Sequence, residues 1–177
     1  MQLPATAYLG LGGNVGDVLL SMSRMLRMLD AHDCVAVEQV SPVYKTPPWG
    51  IEDQAWFLNC CVEVSSGLDP RSLLELCLAG ERELHRTRSV RWGPRTIDAD
   101  ILTFGDYEVD HDQLTIPHPR MHERLFVMQP LADIAPDLMV RGRPAKDWAA
   151  SLGDQDLEQD LETVALDEGW YRKGVTG

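Results

Sequence analysis

Short apolar runs alternate along the chain with stretches of helical period. Residues Thr6 to Leu11 form the first apolar run and predict a strand, and Gly12-Gly13-Asn14-Val15-Gly16-Asp17 follows as turn chemistry. Beyond Asp17, a candidate N-cap, Val18, Met22, Met25 and Leu29 recur at helical spacing. A valine-rich run from Cys34 to Tyr44 predicts a second strand. The segment Thr46-Pro47-Pro48-Trp49-Gly50 cannot continue it, because proline has no amide for a ladder and restricts the residue before it. Trp56 to Val64 predicts a third strand. Asp69-Pro70 then opens a helix with proline at its first position, and Leu73, Cys77, Glu81 and Leu84 share one stripe of it. Thr96 to Phe104 predicts a fourth strand. A small hairpin (Tyr107 to Val109, Leu114 to Ile116) and a helix from about Glu123 to Ile134 follow. Leu157, Leu161 and Val164 have the i, i+4, i+7 spacing of a terminal helix, the alternative being a partly mobile tail.

The order β-α-β-β-α-β predicts an α+β fold, a ferredoxin-like split β-α-β sandwich with an antiparallel sheet and its helices on one face, plus the hairpin and C-terminal helices. A length of 177 residues fits one catalytic domain, residues 1–177, with 153–177 as an acidic extension. No run approaches the roughly 20 apolar residues of a membrane span, and Met1-Gln2-Leu3-Pro4 lacks the basic and apolar blocks of a signal peptide. The expectation is a cytoplasmic protein with no membrane partner. Cys34, Cys60, Cys61 and Cys77 include no C-x-x-C pair, and Cys60 and Cys61 would face opposite sides of a strand, so reduced structural thiols are expected.

The formal charge is −12, which repels a polyanion at long range and argues against nucleic acid as a partner. The charge is uneven. Residues 153–177 carry a net −5, while Arg82, Arg86, Arg88, Arg91 and Arg95 crowd one stretch with only Glu83 among them. A concentrated cation site in an acidic chain suits a small polyphosphate.

Asp98 and Asp100 are two apart on a predicted strand, so both carboxylates leave the same face and Ala99 and Ile101 take the other. A hard divalent cation between them would relieve their repulsion; pairing with nearby arginines is the alternative. Arg86, Arg88, Arg91 and Arg95 feed the same strand, and guanidinium forks match phosphate oxygens. Glu81, on an apolar stripe, needs a partner, either an arginine or a ligand hydroxyl or amine. Thr46-Pro47-Pro48-Trp49 and Phe57-Leu58-Asn59 flank one turn and offer aromatic faces, carbonyls and an amide, a set suited to a flat heterocycle. His118 stands between two prolines with Arg124 nearby, placed for a phosphate contact. The chain has no P-loop, no dinucleotide fingerprint in its strand-helix context and no serine nucleophile elbow. Gly10-x-Gly12-Gly13 reads as a tight turn.

From about Ala7 to Leu138 the chain resembles the 6-hydroxymethyl-7,8-dihydropterin pyrophosphokinases of the folate pathway. The resemblance is carried by Gly12-x-Asn14, Tyr44-x-Thr46-Pro47-Pro48-x-Gly50, Phe57-x-Asn59, Glu81-x-x-Leu84-x-Arg86-x-Arg88, the block from Arg91 to Ile101, Pro117-His118-Pro119-Arg120-Met121 and Arg124-x-Phe126. It implies transfer of an intact diphosphoryl group from ATP to the pterin hydroxymethyl oxygen, with release of AMP. It also implies two Mg2+ ions bridging the ATP phosphates and Asp98 and Asp100. By the same similarity, Thr46, Pro47, Trp49, Phe57, Asn59 and Phe126 form a pterin pocket with the ring between Phe57 and Phe126. Glu81, Arg88, Trp92, Arg95, Ile101, Thr115, His118 and Arg124 contact the nucleotide, and Arg86 and Arg95 act from a mobile loop over the phosphates. Asp100 is the candidate general base, and the working unit is expected to be a monomer. His85 stands where the family usually has glycine, Ala99 where leucine is commoner, and nothing beyond about Pro144 matches the family pattern.

Overall fold

The computed structural model describes residues 3–47, 53–84, 96–155 and 162–172. Among the described residues there are an antiparallel sheet and four α-helices. Strand β1 (Ala5–Gly13) leads to α1 (Val18–Asp30), β2 (Val35–Val40), β3 (Tyr44–Thr46), β4 (Phe57–Ser66) and α2 (Pro70–Glu83). Then come β5 (Asp98–Phe104), a β6–β7 hairpin (Val109–His111, Leu114–Ile116) and a short 3-10 turn at Met121–Glu123. Last are α3 (Leu125–Ile134), β8 (Met139–Val140), β9 (Arg143–Pro144), α4 (Ala145–Gln155) and β10 (Glu162–Thr163). The main sheet runs β10-β3-β4-β1-β5, and β2 also pairs with β4.

Local chemistry sets the helix starts. The Asp17 carboxylate accepts the Leu20 amide at 3.0 Å, and that of Asp69 accepts the Ser72 amide at 3.0 Å, with Pro70 in the first turn. The apolar faces of α1 and α2 cover one side of the sheet, where Met22, Met25, Leu26, Leu29, Leu73 and Cys77 pack on Leu9, Leu11, Val62 and Val64. Gly80 lets the two helices approach. A Cβ there would lie 2.4 Å from Met28 Cε and 2.7 Å from Met25 Sδ.

Three expectations change, and one is extended. The helices of the β-α-β-β-α-β order, α1 and α2, share one face as expected, and the appended α3 and α4 cover the other. Tyr8, Cys61 and Leu102 are apolar on the second face, so α3 and α4 bury them through Met128, Leu131, Ala145 and Ala149. The expected second strand is two strands, because the chain leaves the ladder at Ser41-Pro42-Val43. Ser41 covers the lapse: its Oγ accepts the Cys61 amide at 2.8 Å, and its own amide donates to Cys61 O. Gly12 and Gly13 are strand, not turn, since β4 pairs with both and β5 also pairs with Gly12. Near the C-terminal end, Leu157 and Leu161 lie outside the described residues, and Glu162–Thr163 is a strand on β3 where a helix was expected. An edge strand with open backbone groups outweighs a three-residue helical spacing. Cys60 and Cys61 do face opposite sides of β4, in separate cores, and all four cysteines are free. Burial pushes the Cys60 and Cys77 thiols up to about 12, which keeps them protonated and inert.

Candidate active site

Among the described residues, the second face of the sheet opens to a cavity where Asn59, Gly12 and Asp98 sit side by side. Register places Gly12 opposite Asn59 on β4 and opposite Asp98 on β5; one step along, Gly10 lies opposite Cys61 and Asp100. Side chains alternate along each strand, so Phe57, Asn59, Asp98 and Asp100 share this face. The two glycines between them contribute no side chain. Adjacent strands are about 4.8 Å apart, so the glycine strip holds the amide of Asn59 roughly 10 Å from the aspartates. The gap is the floor of a cavity of about 460 Å³, a size suited to small organic ligands.

Its walls come from three places. The end of β3 supplies Thr46 and Pro47; the segment before α3 supplies His118, Arg120, Glu123 and Arg124; and α3 itself supplies Phe126 and Val127. Asn59 is 9% exposed, and its Nδ2 donates to Thr46 Oγ1 at 3.0 Å. That bond turns Oδ1 toward Gly12, where an added Cβ would stand 2.6 Å from it. Asn14 ties the end of β1 to the chain entering β4, donating to Gln54 Oε1 at 3.0 Å and Ala55 O at 2.9 Å. On the opposite wall the Arg124 guanidinium lies over the Phe126 ring, 5.8 Å from its centroid.

His118 sits between charges of both signs. Its amide donates to Leu102 O at 2.8 Å, which pins this segment to β5. The Arg120 amide donates to His118 Nδ1 at 3.2 Å, so the neutral ring carries its proton on Nε2, as assigned from this bond. Burial, then Arg124, push the imidazole down to about 4, with Arg120 adding to the effect and Asp98 opposing it. The ring is therefore a neutral donor at neutral pH. Because its folded value lies below the ordinary 6.5, the unfolded chain takes up this proton first as pH falls. The associated stability is complete above about 6.5 and lost on the way down to about 4. We expect the His118 imidazole resonances to remain those of the neutral ring at pH 6. His118→Gln should flatten the fall in urea midpoint between pH 7 and pH 4.5; an imidazole midpoint near 6.5 would contradict this placement.

Asp98 and Asp100 are half-buried, with Asp98 Oδ1 shielded from solvent. Among the described residues no three His, Cys, Asp or Glu side chains form a metal-binding group. Two carboxylates on one face, beside a cavity, have donor chemistry suited to a hard divalent cation.

The cavity thus gathers Thr46, Pro47, Phe57, Asn59, Phe126, Asp98, Asp100, His118 and Arg124. Glu81, Ile101 and Thr115 are not in its lining. Ile101 is 3% exposed and points into the α1–α2 core. Thr115 is on β7, opposite Asp110. Glu81, 3% exposed on α2, accepts the Ala99 amide on its Oε1 at 2.9 Å, from behind the strand that carries both aspartates. Trp49, Arg86, Arg88, Trp92 and Arg95 lie outside the described residues, as does His85. Sequence reasoning missed the glycine floor, Arg120 and Glu123. The signal for the floor was glycine at i and i+2 in an apolar run, which marks one bare strand face.

A model of the 7,8-dihydro-6-hydroxymethylpterin-pyrophosphokinase (HPPK) family matches residues 8–136. The chain is 43% identical over 153 residues to the 2-amino-4-hydroxy-6-hydroxymethyldihydropteridine pyrophosphokinase of Methylorubrum extorquens, covering 86% of this chain and 97% of that one. With the protein of the same name from Bacillus subtilis it is 52% identical over 128 residues, 72% of this chain and 77% of the relative. Among solved structures, an HPPK-DHPS in complex with substrates superposes with a TM-score of 0.71 at 14% identity over 87% of this chain. The wild-type Plasmodium falciparum HPPK-DHPS with pteroate gives 0.71 at 15% over 86%. This chain spans just under half of those two chains, 44% and 45%, and at such identity the likeness is one of fold.

Proposed function

The chain belongs to the 7,8-dihydro-6-hydroxymethylpterin-pyrophosphokinase family, and from that premise we propose how its cavity works. The activity is pyrophosphokinase chemistry in folate biosynthesis. The hydroxymethyl oxygen of 6-hydroxymethyl-7,8-dihydropterin attacks the β-phosphorus of ATP as its proton passes to a base, for which Asp100 is the candidate; the bond from that phosphorus to the α-phosphate oxygen breaks, and AMP leaves. The observation that carries the reading is the bare glycine strip, with an oriented amide on one side and two carboxylates on the other, inside one cavity.

The pterin is assigned to the Asn59 side. Its ring has the flat apolar faces that Phe57 and Phe126 accommodate and the edge donors and acceptors that an amide reads. Thr46 holds that amide in one orientation. ATP is assigned to the Asp98 side, with the Nε2–H of His118 and the Arg124 guanidinium as donors to phosphate oxygens. Asp98 and Asp100 have the chemistry to hold Mg2+, which when bound with ATP supplies neutralisation of the phosphate charge. Arg86 and Arg95 are assigned to the phosphates and Arg88 and Trp92 to the nucleotide, by family resemblance. Transfer of this kind depends on alignment and charge compensation more than on covalent catalysis, and the cavity offers both. Glu81 acts on the nucleotide side through β5. The strand order β5-β1-β4-β2 supports a ferredoxin-like reading of the core, in one catalytic domain. We read the unit as a monomer, and its free thiols suit a cytoplasmic location.

Incubation of the protein with ATP, Mg2+ and 6-hydroxymethyl-7,8-dihydropterin tests the reading. AMP and the pterin pyrophosphate should appear in equal amounts; ADP, or no product, refutes it. The two sides should also be separable. Gly12→Ala forces Asn59 Oδ1 out of position, since the new methyl would meet it at 2.6 Å. We expect pterin affinity to fall about tenfold, with affinity for a non-hydrolysable ATP analogue within about twofold of the parent. Calorimetric titration of each ligand decides.

A further inference from the structure

Residues 162–172 lie outside the stretch that matches the family, yet they are built into the fold. Glu162 and Thr163 pair with Lys45 and Tyr44, and the Val164 amide donates to Val43 O at 2.8 Å. Val164, Leu166 and Trp170 pack against the α1–α2 core. Tyr171 is 7% exposed within that core, and its carbonyl accepts the hydroxyl of the fully buried Ser23 at 3.0 Å. A segment anchored this deeply at one end can hold whatever it pairs with at the other.

What it pairs with is β3, only three residues long. A strand this short depends on its neighbours, and β10 gives it a partner on the side away from β4. On its other side the same three residues register with the pterin side of the cavity: Tyr44 with Asn59, Lys45 with Leu58, and Thr46 with Phe57. Thr46 Oγ1 accepts the Asn59 amide. The start of β3 has a second anchor, the Tyr44 hydroxyl donating to Asp133 of α3, so the hold of β10 matters most at Lys45, the neighbour of Thr46. Asp98 and Asp100 stand on β5, at the opposite end of the sheet.

We propose that residues 162–172 are a positioning element for the pterin: β10 fixes β3, β3 fixes Thr46, and Thr46 fixes the amide of Asn59. The proposal rests on the assignment of the pterin to Thr46 and Asn59. It predicts a selective effect, because the path from β10 to the cavity reaches only one of the two substrates.

Val164→Pro in the full chain removes the amide that donates to Val43 O and leaves Trp170 and Tyr171 in place; Val164→Ala keeps the amide and serves as control. Expected for the proline variant are faster hydrogen exchange of the Tyr44–Thr46 amides and pterin affinity weaker by about tenfold, the scale of one lost hydrogen bond. Affinity for a non-hydrolysable ATP analogue should stay within about twofold. Val164→Gly, which only loosens the strand, should show the same split at smaller amplitude, so a poorly folded proline variant does not end the test. Unchanged pterin affinity in both variants overturns the proposal, and so does a parallel loss of both ligands. Asn59→Ala separates the premise from the proposal. If that variant binds pterin normally, the pocket assignment is what fails. If it loses pterin while Val164→Pro and Val164→Gly keep it, only the role of residues 162–172 falls.

Discussion

Asp98→Ala and Asp100→Ala should each lower turnover by about a thousandfold or more while leaving the thermal midpoint at or slightly above that of the parent. The two carboxylates leave the same face of β5 about 7 Å apart along the strand, and removing one relieves repulsion in a half-buried place. Lost activity therefore cannot be ascribed to lost fold. Little covalent chemistry falls to the protein in moving a pyrophosphoryl group, so charge compensation at the phosphates accounts for most of what it contributes. A neutral side chain at either position removes a ligand of the Mg2+ proposed to carry that compensation, without creating a large hole. Asp98→Asn and Asp100→Asn sharpen the test, since they keep shape and polarity and lose only charge. Turnover above about a tenth of the parent in either asparagine variant would mean that the carboxylates are structural. Pterin affinity measured without nucleotide should be unchanged in all four, because the glycine strip separates Asn59 from the aspartates.

The aspartates were legible because their message is local: i and i+2 on a strand is one face, whatever the strand pairs with. The same holds for the starts of α1 and α2, where Asp17, Asp69 and Pro70 act within four residues of themselves. Gly10 and Gly12 were misread because their meaning is not local. A glycine pair after an apolar run is turn chemistry until β4 and β5 lie on either side of it; only then does the missing Cβ become a floor. The break at Ser41 depends on Cys61, twenty residues away, whose backbone both donates to and accepts from that serine. Cover on the second face was concealed for a related reason. Tyr8, Cys61 and Leu102 are single apolar residues on three strands, and they become a surface only when register aligns them. The pairing of β10 with β3 joins residues more than a hundred positions apart, and no window of sequence contains both.

Glu81 carries the second large effect, and it acts through backbone. Family resemblance places Glu81 at the nucleotide, whereas the described contact is with the strand that presents the aspartates: Oε1 accepts the amide of Ala99, which lies between them. Among the described residues β5 is the end strand of the sheet and has only β1 as a ladder partner, so its outward amides need other acceptors. A buried carboxylate that accepts a backbone amide makes a strong, charge-assisted bond and fixes the strand at the point where both aspartate side chains leave it. Glu81→Ala leaves that amide buried without this acceptor, which costs about 1–3 kcal/mol of stability, and frees β5 to shift. A displacement of about 1 Å at the aspartates is enough for a loss of about a hundredfold in kcat/KM. Glu81→Gln keeps a carbonyl oxygen in the same place and should recover most of the stability and most of the activity. Were the carboxylate needed instead as a charged contact to ATP, glutamine would restore the melting temperature and leave activity at the level of the alanine variant. The pair of measurements, thermal midpoint and kcat/KM for alanine against glutamine, therefore decides whether Glu81 reaches the nucleotide itself or only holds the strand that does.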